Sequence, residues 1–108
     1  MEENTVLCGA NAYTKKYFFN EQFNILPQRV KDELHIMCVM FTEEISGIFT
    51  VEFDDKGNLE LKTESMAGDG MYDEIGATLC IKKLQDEKRD LFESLELFYK
   101  VFTGEGQV

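Results

Sequence analysis

The chain has 108 residues, 44% of them apolar and 30% charged, with a formal net charge of -10. That is the composition of one globular domain, 1–108, with an adequate but small core. The excess charge is local, since residues 43–74 hold ten acids against two bases, and without clustered Lys and Arg neither nucleic acid nor an anionic membrane is expected as a partner.

Taken in chain order, Thr5 to Ala10 reads as a short strand and Lys16-Tyr17-Phe18-Phe19-Asn20 as a second, aromatic one, the two forming a hairpin. Asn20 to Asn24 is a turn, with Phe23, Ile25 and Leu26 seating the helix that follows. Pro27 suits that helix's first turn. Val30, Leu34, Met37, Cys38, Phe41 and Ile45 recur at helical spacing and give it one wide apolar face. Ile36, Val39 and Met40 are apolar as well and point round its sides, so a second side needs a cover. Either the last helix or another subunit supplies it. Gly47 stands just beyond the expected end, near Thr42 to Ser46.

The clearest local signal follows. Phe49, Val51 and Phe53 alternate with Thr50 and Glu52, and Leu59 and Leu61 alternate with Glu60 and Lys62. Between them, Gly57 suits the left-handed position of a tight loop. With Asp54 facing Asn58, Phe53 pairs with Leu59 and Val51 with Leu61. The same register sets Glu52 against Glu60, a like-charge pair that the diagonal Lys62 can relieve. Glu64 to Tyr72 is a loop in which Gly68-Asp69-Gly70 lets the chain turn.

From Asp73 to Phe102 the composition is helical, with the acids at Asp69, Asp73 and Glu74 favouring the start through the helix dipole. A straight helix of that length would run about 45 Å, so it bends or projects onto another subunit. The predicted fold is α+β, ββαββα, with an antiparallel sheet carrying a central helix and a long C-terminal helix on one face. The alternative takes Ile75–Ile81 as an extra strand, and the element order then resembles the roadblock/longin type of small dimeric adaptor.

No catalytic, cofactor or metal motif stands above background. His35 and Cys38 are three apart on the central helix, but zinc wants three or four ligands and there is no second histidine. Asp54, Asp55, Asn58 and Glu60 hold oxygens in a short loop without the spacing of an EF-hand, so an acidic turn is the expected reading. A nucleophilic cysteine has only His35 to serve it, and a serine triad lacks a candidate altogether. Cys8, Cys38 and Cys80 are odd in number and sit among apolar neighbours, as reduced, buried cysteines of a bacterial-type cytosol do. Met1 to Thr5 lacks the basic and apolar parts of a signal peptide, and no apolar run approaches the ~20 residues of a membrane span.

Leu7-Cys8-Gly9-Ala10-Asn11, Tyr17-Phe18-Phe19-Asn20, Lys31-Asp32-Glu33-Leu34, Ile36-Met37-Cys38-Val39, Glu52-Phe53-Asp54, Asp73-Glu74-Ile75-Gly76, Leu84-Gln85 and Glu87-Lys88-Arg89 together carry a resemblance. Over nearly its whole length the chain resembles an uncharacterised family of short acidic proteins from anaerobic Gram-positive bacteria. That resemblance implies no activity, cofactor or site residue. The expected role is therefore a non-enzymatic cytosolic interaction protein, a homodimer joined by the last helix and by the aromatics left over from the core. Its acidic 43–74 region would face solvent or a basic protein. The alternatives are a metal-binding protein or metal-dependent enzyme using the 54–60 acids or His35 with Cys38, and a small-molecule-binding module with a pocket between sheet and helices.

Overall fold

The computed structural model describes residues 3–103. Met1, Glu2 and the tail from 104, which enter the composition and N-terminal readings, lie outside them. Four strands, β1 (Thr5–Asn11), β2 (Lys16–Phe19), β3 (Ile48–Phe53) and β4 (Leu59–Glu64), form one antiparallel sheet in the order β2-β1-β3-β4. The helices are α1 (Gln28–Ile45), α2 (Glu74–Glu87) and α3 (Arg89–Phe102), and a 3-10 turn spans Glu21–Phe23. The fold is α+β, as the alternation of hairpin and helix predicts. None of the described helices is long and apolar enough to cross a membrane.

Period-two alternation decides what the sheet buries. Phe49, Val51 and Phe53 on β3 are fully buried, and Cys8 and Ala10 on β1 lie beside Val51 and Phe49 in the register. One residue of β1 breaks that alternation. Val6 faces Glu52 and Cys8 faces Val51, so Leu7 is the extra residue of a bulge, which is how Leu7 and Cys8 can both be buried although adjacent. The β3–β4 register is the predicted one, with Phe53 against Leu59, Val51 against Leu61 and Glu52 against Glu60. Gly57 takes φ +87° in the loop. Lys62 Nζ lies 3.4 Å from Glu52 and 3.7 Å from Glu60, and the Asn4 amide donates to both carboxylates at 3.0 Å. The like-charge pair is thus bridged twice. Burial raises the Glu52 pKa, but Thr50, Asn4 and Lys62 outweigh it and hold the carboxyl below its ordinary value.

The inner face of the sheet is covered by Leu34, Met37, Cys38, Phe41 and Ile45 of α1, with Ala77 of α2 and Phe92 and Leu95 of α3 completing the core. Pro27 caps α1, its carbonyl accepting from Val30 and Lys31. The helix ends where Ser46 (φ +73°) and Gly47 (φ +84°) turn left-handed. A Cβ on Gly47 would meet the Glu64 carbonyl at 2.5 Å and the Tyr72 ring at 2.9 Å, so glycine is required there for space as well as conformation.

The stretch Ile75–Ile81 is helical, not a strand, which removes the roadblock/longin order. The C-terminal helix is not continuous either. It breaks at Lys88 (φ -107°, ψ 21°) between α2 and α3. There is no Pro or Gly to mark the spot. The backbone ladder runs through it, with Lys88 N–H bonded to Leu84 and Phe92 N–H bonded to Lys88. An ion pair of Lys88 with Glu33 at 3.0 Å ties the bend to α1. Bending lets Ala77 on one segment and Phe92 and Leu95 on the other reach the same core.

Candidate functional site

Phe23, from the 3-10 turn, is the hub of an aromatic cluster, with ring centroids 5.7 Å from Phe53, 6.3 Å from Phe98, 6.1 Å from Tyr99 and 5.3 Å from Phe102. Most of the aromatic surplus is therefore used inside the chain, closing one end of the core. Phe18 on the open face of the sheet and Phe102 at the end of α3 are the large aromatics left exposed.

His35 is exposed on α1 and stacks on Tyr17 of β2, centroids 4.1 Å apart and planes within 17°. The stack borders a cleft of about 330 Å³ between the first hairpin and α1, lined also by Lys15, Val39, Thr42 and Glu43. Cys38, three residues on, is fully buried and meets Cys8 instead, Sγ to Sγ 3.7 Å. The two residues paired by spacing in the sequence thus face different surroundings. Among the described residues no three His, Cys, Asp or Glu side chains gather as metal ligands would. Tyr17 Oη is buried among the described residues without a hydrogen-bond partner. Burial and the neighbouring Cys8 and Cys38 push the phenol pKa well above its ordinary value. Tyr17→Phe deletes a desolvated hydroxyl while keeping the ring on His35, so stability in a urea titration is expected to hold or rise by up to about 1 kcal/mol. A clear loss would show that the hydroxyl has a partner.

Six of the ten acids in 43–74 serve the fold. Asp54 accepts from the backbone N–H of Lys56 and Asn58 in the β3–β4 loop, so its carboxylate is engaged in a turn. Glu52 and Glu60 are bridged as described. Asp73 caps α2, accepting from Gly76 N–H at 3.0 Å, and Glu74 lies in the first turn. Asp69 does not sit at that helix start. It accepts from Tyr13 Oη, from Ser46 Oγ at 2.9 Å and from Met71 N–H at 2.8 Å, tying the first hairpin loop and the end of α1 to the long loop. Its sequence neighbours give no hint of this, because the partners lie 56 and 23 residues away.

The Tyr13 bond, with those from Met71 and Ser46, holds the Asp69 carboxyl below its ordinary value. A carboxylate lowered in the folded state stabilises above its unfolded pKa, near 4, and stops doing so as pH falls through the folded value. Asp69→Asn is therefore expected to lower Tm at neutral pH, with the gap to the parent closing as the pH of the melt is taken below about 4. A gap that stays constant with pH would remove the ionised Asp69 as its cause.

The second apolar side of α1 is where the chain is left open. Val39 is partly covered at the Tyr17 cleft, but Ile36 and Met40 are 59% and 60% exposed. They border a groove of about 360 Å³ between α1 and α2, which Met37, Phe41, Cys80 and Leu84 also line. Glu33 and Glu44 flank it from α1, Lys83 and Glu87 from α2, and Lys88 from the break that follows. Leu79 and Ile75 on α2 are exposed as well. Burial, helped by Glu44 and Glu87 and opposed by Lys83, pushes the Cys80 thiol pKa up, so this thiol is largely protonated at neutral pH. The last helix does not cross Ile36 and Met40.

Residues 4–107 match the family model described as a family of unknown function, DUF6145. No curated protein and no solved structure matches the chain. With nearly its whole length matched, the chain belongs to the DUF6145 family of unknown function.

Proposed function

We propose that this chain is a non-enzymatic interaction protein that works as a homodimer, its copies meeting across the α1–α2 groove. The observation that carries the reading is the exposed pair Ile36 and Met40 on a helix otherwise buried along its core face. An apolar side of a central helix left open beside a groove is a surface suited to a protein partner.

The charges around the groove favour a second copy over an unrelated protein. Glu44 on α1 and Lys83 on α2 are the unlike pair across the groove, Glu33 being already paired with Lys88, and Glu87 is a further acid on the α2 side. A two-fold axis that lays α1 of one copy along α2 of the other brings Glu44 to Lys83 at two symmetry-related places. Two such helix pairs make a four-helix layer with the sheets outside. Sedimentation velocity under reducing conditions tests this. At tens of micromolar a dimer is expected, and a clean monomer there overturns the proposal.

A further inference from the structure

The core contains two cysteines in contact, and the interaction surface makes no use of them. Cys8 comes from β1 and Cys38 from α1, 30 residues apart in sequence. Both are fully buried where the helix lies on the sheet, with their sulfurs 3.7 Å apart. A disulfide has its sulfurs about 2.05 Å apart, so closure needs an approach of about 1.7 Å.

A second observation marks the spot. An apolar core would place Phe where Tyr17 stands, yet a buried hydroxyl sits there with no hydrogen-bond partner of good geometry among the described residues. Cys8 and Cys38 are its titratable neighbours, and a negative charge formed on either would hold the phenol protonated. A phenol O–H beside two thiols is a donor that a thiolate, once formed, could use. The route in runs through β2. This edge strand has four residues, pairs only with β1 and borders the open Tyr17–His35 cleft. The Cys8 contact and burial push the Cys38 thiol pKa well up, so the closed molecule reacts slowly.

We propose that Cys8 and Cys38 form a reversible disulfide that cross-links β1 to α1, with a low-molecular-weight disulfide as oxidant. One cysteine loses its proton to solvent, and its thiolate attacks a sulfur of the oxidant, releasing one small thiol. The second cysteine, deprotonated in turn, attacks the mixed disulfide and releases the other. Two electrons pass from the protein to the oxidant. One protein S–S bond forms, one oxidant S–S bond breaks, and two small thiols carry the protons. Cys80, in the α1–α2 groove, takes no part.

The test uses the full chain carrying Cys80→Ser, so neither member of the pair is altered. The protein is held with a millimolar excess of oxidised glutathione, then denatured, alkylated and mapped by mass spectrometry. The expected product is lighter by about 2 Da, with the Cys8 peptide joined to the Cys38 peptide, and dithiothreitol restores the parent mass. The cross-link closes a loop in the unfolded chain, so Tm is expected to rise by roughly 5–10 °C. Full alkylation of both cysteines, or glutathione adducts on them without a cross-link, overturns the proposal. In the parent chain, modification confined to Cys80 does the same.

Discussion

Replacing Phe53 with alanine is expected to cost about 3–5 kcal/mol of folding stability. The side chain is fully buried, and four pieces of the chain meet on it. It pairs with Thr5 of β1 and Leu59 of β4. Its ring stacks on Tyr99 of α3 at 4.2 Å and 11°, and lies 5.7 Å from Phe23 of the 3-10 turn. Removing it takes away a large apolar transfer term and leaves a cavity that rigid rings on two sides cannot collapse into. A domain of this size has roughly 5–15 kcal/mol in total, so the variant is expected to melt well over 10 °C lower. Phe18→Ala is the control. That ring is 55% exposed on the open face of the sheet, and its loss is expected to stay within about 1 kcal/mol. Equal effects at the two positions would mean that the inner and outer faces have been assigned wrongly.

Phe53 also shows what made much of the fold legible. The β3–β4 hairpin follows from alternation, together with one glycine placed where a left-handed residue is needed. These are local signals, and one register satisfies both. The start and end of α1 are local in the same way. The break at Lys88 is not. The polar stretch Gln85 to Asp90 contains no helix breaker, and the bend is set by where two apolar stripes must dock. Leu7 gave no sign of its bulge, because both it and Cys8 are apolar whichever way they point. The contact of Cys8 with Cys38 and the bonds from Tyr13 and Ser46 to Asp69 join residues 23 to 56 apart in sequence. Spacing within one element says nothing about such pairs. The groove is a subtler case. Periodicity identified Ile36 and Met40 as apolar residues off the main face of α1, but it cannot report whether another element lies over them.

That uncovered pair is the place to break the dimer without harming the protomer. The double variant Ile36→Glu with Met40→Glu is expected to weaken self-association by two orders of magnitude or more. Each copy would otherwise bury two acidic side chains in an apolar contact, and across a two-fold axis the penalty is incurred twice. The protomer itself should fold normally, with Tm at a concentration where both proteins are monomeric moving by only a degree or two, because both side chains are already mostly solvated. Salt supplies an independent reading. Each copy carries a net charge of -10, so association driven by the apolar groove works against overall repulsion, and the parent dimer is expected to tighten as ionic strength rises from low to physiological. If the rim charges supplied most of the attraction, affinity would instead fall with salt. A double variant that sediments as a dimer with parental affinity would move the interface off α1 altogether. One that no longer folds would mean that Ile36 and Met40 are covered within the chain, against the exposure on which the proposal stands.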